Sequence, residues 1–196
     1  MKILLTAFEP FGGDDINASA EALRLIKAPE GAELFKIQVP TVFGLAGDVV
    51  IDAVRKLRPD AVVCLGQAAG RDAITPERIA INVRDARIPD NAGQKPEGEP
   101  VVPDGPAAYF STLPLKAMVK AAADAGIRAS ASNSAGAFVC NDLMYSVLHA
   151  LGTEFKGARG GFIHVPALSK GEGGAAMSLE DIVSGTEAML RAIAES

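Results

Sequence analysis

Short apolar runs alternate with longer amphipathic stretches from one end of this chain to the other, and that alternation leaves few folds open. Residues 2–8 are a brief apolar run, which predicts a buried strand, and Glu9-Pro-Phe-Gly-Gly-Asp-Asp15 breaks it. Asn17 fits an N-cap for a helix to about residue 26, with Leu23, Leu25 and Ile26 on its apolar side. Residues 34–39 read as a second strand. A helix is expected from about 43 to 57, with Leu45, Val49, Val50, Ile51, Val54 and Leu57 apolar. The run Ala61-Val-Val-Cys-Leu65 predicts a central strand ending at Gly66-Gln67-Ala68-Ala69-Gly70. Residues 77–83 read as a further strand, and the Pro- and Gly-rich stretch from Asp85 to Pro106 as a long loop of the functional or disordered kind. A helix at about 114–125, a strand at 128–132 and the loop Asn133-Ser134-Ala135-Gly136 follow. Last come a helix at about 138–151, a strand at about 160–165, a Gly-rich loop over 167–177 and a helix at about 178–194. Ser178 is the N-cap of that helix, with Glu180 and Asp181 in its first turn. Strands alternating with helices predict an α/β fold, a single-domain α/β/α sandwich over residues 1–196 with a mostly parallel, mixed central sheet. Ligands bind at the carboxyl ends of such strands, which groups the loops after residues 8, 66, 132 and 165.

A chain of 196 residues is the size of one domain and can bury a sizeable core without staples. Acidic residues outnumber basic ones 24 to 19, so the chain lacks the basic excess of a nucleic-acid binder and suits a small-molecule or peptide ligand. Two cysteines, Cys64 and Cys140, are too few for a disulfide framework and fit a reducing cytoplasm. The apolar start is too short for a signal peptide, and no run reaches the roughly 20 apolar residues of a membrane span. No cluster has metal-ligand spacing. Gly12-Gly13 and Gly66–Gly70 match neither a phosphate loop nor a dinucleotide fingerprint, so no cofactor is expected.

The chain has only two histidines. His164 ends the apolar strand Gly160-Gly-Phe-Ile-His164, where α/β enzymes keep catalytic groups; a hydrogen-bonded structural histidine is the alternative. Cys140 opens a helix, where free N–H groups and the helix dipole favour a thiolate; a buried apolar cysteine is the alternative. Cys64, in the middle of an apolar strand, reads as structural. His149 lies nine residues after Cys140 on the same helix. At ~100° per residue that is about 180° around the axis and ~13.5 Å along it, so His149 cannot serve Cys140 as a base. If Cys140 is a His-paired nucleophile, its partner is His164. A third group should orient the imidazole, and Glu77, Asp72 and Asp85 are all candidates. Phe8, Phe11 and Phe138 fall on the site loops and suggest an apolar pocket, with core packing as the alternative.

The motifs resemble the pyroglutamyl peptidase I family of cysteine peptidases. The resemblance rests on Thr6-Ala-Phe-Glu-Pro-Phe-Gly-Gly13, Ile16-Asn17, Gly66-Gln-Ala-Ala-Gly-Arg71 and Pro76-Glu-Arg-Ile-Ala-Ile-Asn82. It continues through Ala86-Arg-Ile-Pro-Asp-Asn91, Ser132-Asn-Ser-Ala-Gly-Ala-Phe-Val-Cys-Asn141, Gly161-Phe-Ile-His-Val-Pro166 and Met177-Ser-Leu-Glu-Asp-Ile-Val183, in family order over nearly the whole chain. It implies a phosphorylase/hydrolase-like sandwich and removal of N-terminal pyroglutamyl groups from peptides by way of a thioester. Carried over residue by residue, it makes Cys140 the nucleophile, His164 the general base and acid, and Glu77 the group that orients the imidazole. Lactam recognition falls to Phe11, Asn17 and Gln67; Phe8, Phe138 and Val139 line the pocket, and Arg87 lies next to the site. The substrate's chemistry agrees. Pyroglutamate is a neutral lactam, suited to an apolar slot with a few amide-type partners. The resemblance also implies a homo-oligomer, a tetramer being one form, with the apolar C-terminal helix a candidate interface.

The sequence departs from the family pattern at Asp142, where histidine is common, at Ala18-Ser-Ala20, and over 167–175. Asp142 is expected either to raise the Cys140 pKa or to face solvent; the 167–175 loop is expected to be mobile. A nucleoside phosphorylase-like enzyme and a non-catalytic binding protein are the competing readings. The first needs an anion site, for which Arg71, Arg78 and Arg87 are the nearby cations, and the second is opposed by an intact Glu77, Cys140 and His164.

Overall fold

The computed structural model describes residues 1–169 and 176–196. In chain order its elements are β1 (Lys2–Phe8), α1 (Ala18–Leu25), β2 (Glu33–Val39), α2 (Leu45–Leu57), β3 (Ala61–Gln67), β4 (Thr75–Pro76), β5 (Ile79–Ile81) and β6 (Arg84–Asp85). These are followed by β7 (Glu97–Glu99), β8 (Ala108–Phe110), α3 (Leu115–Asp124), α4 (Val139–Thr153), β9 (Arg159–Val165), β10 (Ala167–Leu168), β11 (Ala176–Met177) and α5 (Leu179–Ala194). The central sheet has the order β2-β1-β3-β9-β4, parallel except for β4. The expected mostly parallel, mixed sheet is present.

Strand side chains alternate between faces, and the two faces meet different helices. Ile3, Leu5, Ala7, Val63, Leu65, Ile163 and Val165 pack with residues of α1, α3 and α5. Leu4, Phe8, Val62, Cys64 and Phe162 pack with α2 and α4. Strands buried on both sides have no polar face, which is why β1, β3 and β9 are nearly continuous apolar runs. Capping follows expectation at two helices: Asn17 accepts from Ser19 N at 2.9 Å and Ser178 from Asp181 N at 3.0 Å. The apolar residues Ile182, Met189, Leu190 and Ile193 of α5 are wholly buried in this chain's own core, while Leu179 and Val183 are partly exposed.

Three stretches differ from the sequence reading. Residues 77–83 are not one strand. Thr75–Pro76 join the sheet edge antiparallel to β9, while Ile79–Ile81 pair with β8, because Glu77 N and Arg78 N donate to different neighbours, Phe162 O and Ser132 O. Residues 128–132 form only isolated bridges, Ile74 to Ala129 and Glu77 to Ser132. The 85–106 segment is ordered: β7 pairs with β6, and the Asp90 carboxylate accepts from the N–H groups of Phe43, Ala92 and Gln94. Of the segment 167–175, residues 170–175 lie outside the described ones; Ala167–Leu168 pair with Ala176–Met177. Among the described residues no helix is long and apolar enough to cross a membrane.

Candidate active site

Strand parity decides which face His164 uses. It follows Phe162 by two residues on β9 and so points to the α4 side. Cys140 is the second residue of α4, after the extended N-cap Phe138. Gly66 is next to both: its backbone partner on β9 is His164, and the place of its missing Cβ faces Cys140 Sγ. A Cβ on Gly66 would stand 3.3 Å from Cys140 Sγ and 2.7 Å from the Phe162 ring, so the bare backbone makes the room in which the thiol sits.

The third side chain enters from β4. The register pairs Thr75 with His164, which carries Glu77 alongside the imidazole. His164 Nδ1 and Glu77 Oε1 are 2.7 Å apart, with the carboxylate wholly buried and the imidazole 4% exposed. An ionised carboxylate only accepts, so Nδ1 carries the hydrogen and Nε2 keeps its lone pair. Of the three candidate orienting groups, Glu77 is the one in place; Asp72 is exposed, and Asp85 lines a cleft instead. His149 binds Tyr109 Oη at 2.9 Å through Nδ1 and stacks on Tyr145, away from the thiol.

Burial works against charge here. It pushes the Cys140 thiol up to about 12, helped by the Glu77 charge, while Arg71 and the cysteine's own N–H pull the other way. Burial likewise lowers the His164 pKa, and the bond and charge of Glu77 only partly oppose this. Burial would raise Glu77, but hydrogen bonds to His164 and Arg71, the imidazolium charge and Ser132 together hold it below its ordinary value. The resting pair is therefore a thiol beside a neutral imidazole.

A cleft of about 480 Å³ opens beside the α4 start, lined by Phe11, Asp85, Arg87, Ile88, Ala137 and Phe138 among others. Phe11 and Phe138 stand with ring centroids 5.0 Å apart. Arg87 is exposed on this wall and has no ion-pair partner among the described residues. A second cleft of about 510 Å³ is lined by Asp14, Asp15, Ile16 and Gln67 with neighbours from 167–169. Gln67 Oε1 accepts from Ala18 N at 2.8 Å, leaving its amide N–H₂ unpaired among the described residues. Asn17 caps α1 and donates to Glu9 O, so its hydrogen-bonding capacity is largely used. Phe8 and Val139 are 2% and 0% exposed and lie under the site in the α2/α4-side core rather than on a cleft wall.

Asp142 behaves as neither alternative expected of it. It is wholly buried, pairs with Arg84 at 2.5 Å, accepts from Gly44 N at 2.8 Å, and is absent from the influences on Cys140. Sequence reasoning missed Gly66, and it noticed Arg71 only as a cation for an anion site. The signal was present in Gly66-Gln-Ala-Ala-Gly-Arg71, but its meaning depends on which loops meet there.

A family model described as pyroglutamyl peptidase matches residues 1–196. A pyrrolidone-carboxylate peptidase of Lactobacillus johnsonii is 50% identical over 100% of this chain and 93% of its own length. One of Enterococcus faecalis is 52% identical over 86% of this chain and 79% of its own. The crystal structure of pyroglutamyl peptidase I from Bacillus amyloliquefaciens superposes with a TM-score of 0.96 at 43% identity, covering 100% of this chain and 95% of the other.

Proposed function

This chain belongs to the pyroglutamyl peptidase family and is a cysteine-type omega peptidase, and on that premise we propose that residues 1–196 act as one peptidase domain that uses Cys140, His164 and Glu77 to release N-terminal pyroglutamate from peptides. The observation that carries the reading is the buried Glu77–His164 pair, with His164 and a helix-start cysteine both next to Gly66.

The chemistry follows from the resting charges. With a thiol and a neutral imidazole, attack and proton transfer belong to one step. As Cys140 Sγ bonds to the pyroglutamyl carbonyl carbon, the thiol proton moves to His164 Nε2. Glu77 stabilises the imidazolium so formed through the Nδ1–H bond. The tetrahedral oxyanion lies at the start of α4, where the first N–H groups have no intrahelical partner. Asp142 N makes the first such bond, to Phe138 O, which leaves the N–H of Cys140 available. Arg87 adds charge at the cleft wall. When the C–N bond breaks, His164 returns the proton to the leaving amine and a thioester remains. Water then attacks the thioester with His164 as base, releasing pyroglutamate and the thiol.

The lactam ring lies against Phe11 and Phe138, on the floor built by Phe8 and Val139. Gln67, on the wall of the second cleft, offers its amide N–H₂ to the ring carbonyl, and Asn17 acts through it by capping the helix whose Ala18 N–H fixes the Gln67 amide. Lacking a charged amine, pyroglutamate needs no carboxylate anchor, and a substrate without the lactam leaves the amide unpaired. The test compares pyroglutamyl, prolyl and glutamyl amides of a chromogenic amine with wild type and Cys140→Ser. Release from the pyroglutamyl compound alone, abolished in the variant, is expected. Hydrolysis that survives in Cys140→Ser refutes the assignment of the nucleophile.

A further inference from the structure

Resting on that triad, we propose that Arg71 is a positioning residue for it, a half-buried counter-charge that sets the pH range over which the Glu77–His164–Cys140 system works.

The geometry is specific. Arg71 Nη1 lies 2.6 Å from Glu77 Oε1, the same oxygen that His164 Nδ1 meets at 2.7 Å. Among the described residues the other carboxylate oxygen, Oε2, is buried without a hydrogen-bond partner in reach, so the Arg71 and His164 contacts converge on the one oxygen, Oε1. Nη1 also donates to Thr75 Oγ1, and Nη2 donates to Ser134 O at 3.2 Å. One guanidinium thus joins three pieces of the site: the loop after β3, the β4 end that carries Glu77, and the loop that leads to Cys140. A planar fork with several fixed donors suits this role, whereas an ammonium reaches fewer acceptors at once.

Charge balance gives the arrangement its consequence. When the thiol proton has moved to His164, the site holds a carboxylate, an imidazolium and a thiolate or oxyanion, a net of one negative charge. Arg71 brings the net to zero inside a buried region where an uncompensated charge is costly. The titratable groups facing this centre are Glu77, His164, Cys140 and Cys64, and Arg71 is the one permanent cation among those acting on them. The Arg71 charge favours the deprotonated form of both Cys140 and His164. Removing it moves both limbs of the bell-shaped pH profile toward higher pH, as macroscopic values of the coupled pair.

The experiment measures kcat and kcat/KM for a pyroglutamyl amide against pH with wild type, Arg71→Gln and Arg71→Lys. Arg71→Gln should move both limbs alkaline by roughly one pH unit, the scale of losing a nearby opposite charge. Its kcat at the optimum should fall roughly tenfold with KM little changed, because Arg71 lines neither of the two clefts and bonds only to the site's own residues. Arg71→Lys should move the limbs less. A lower kcat with both limbs in their wild-type places, in whichever variant folds, makes Arg71 a mere loop tie and overturns the inference. Failure of the triad itself reads differently, as wild-type hydrolysis that persists in Cys140→Ser.

Discussion

Glu77 and Asp142 are both wholly buried and both meet an arginine, Arg71 at 2.6 Å and Arg84 at 2.5 Å, yet their acidities move in opposite directions. Asp142 is raised above its ordinary value because burial outweighs the Gly44 N–H and the Arg84 pair, and Asp48 adds repulsion. Glu77 is lowered despite its burial because His164 adds a second, chargeable partner. An arginine neighbour therefore does not by itself make a buried carboxylate a strong acid; the second partner decides. At Glu77 that partner is a base that gains charge during the reaction. At Asp142 it is a backbone amide at the start of α2, so the pair joins elements and takes no part in proton movement. Asp142 follows Cys140 by two residues, about 200° around the helix, and so points away from the thiol.

Glu77→Gln breaks this comparison most severely. The amide keeps shape and an acceptor oxygen but cannot stabilise an imidazolium by charge. Pyroglutamyl amide turnover should fall by about 10²–10⁴-fold, while circular dichroism and thermal unfolding report a folded protein. Turnover within tenfold of wild type would make Glu77 as passive as Asp142. Gly66→Ala should come next. Its methyl meets Phe162 at 2.7 Å and Cys140 Sγ at 3.3 Å, and a displacement near 1 Å at the nucleophile can cost on the order of 10²-fold. A kcat close to wild type would mean that the thiol does not depend on that gap.

How much of this was legible beforehand differs along the chain. The parity of Ile163 and His164 on an apolar strand is visible in the sequence, as is the helix angle that separates Cys140 from His149, and the structure keeps both. The choice among Glu77, Asp72 and Asp85 was not visible. It depends on a two-residue strand running antiparallel at the sheet edge, too short for any periodicity to register. The Arg84–Asp142 pair spans 58 residues, and neither residue carries a local sign of the other. Phe8 looked like a pocket wall because it ends a strand next to a loop; its ring turns inward against Phe162 at 6.3 Å instead.

Asp142→Asn should leave turnover within about threefold of wild type and act on stability through pH. A carboxyl whose folded pKa is raised binds more protons in the folded state than in the unfolded one. Asp142 therefore favours folding most below its ordinary value of 3.8, and that contribution is lost as pH rises through its raised folded value. Glu77 has the opposite sign. Its contribution is complete above its ordinary value of 4.5 and is lost as pH falls through its lowered folded value. Urea midpoints of wild type and Asp142→Asn should thus converge toward about pH 4 and separate toward about pH 6, with the variant gaining relative to wild type. Parallel curves would mean that the Arg84 pair fully offsets the burial of Asp142.

The two cysteines sharpen the same lesson at the smallest scale. Burial pushes Cys64, like Cys140, up to about 12, so resting acidity does not distinguish a nucleophile from a core residue. Position does. Cys64 lies in the middle of β3, wholly buried in the α2/α4-side core, whereas Cys140 is partly accessible at a helix start beside a base. Cys64→Ala should leave kcat/KM within about twofold of wild type. Loss of a small buried side chain costs about 1–2 kcal/mol, which lowers Tm by roughly 2–8 °C for a chain of this size. In the folded wild type, iodoacetamide should alkylate Cys140 alone, and activity should disappear in step with that single modification. Labelling of Cys64 in the folded protein, or activity that outlasts complete labelling of Cys140, would show that a shared high thiol pKa conceals less difference between the two sites than their positions imply.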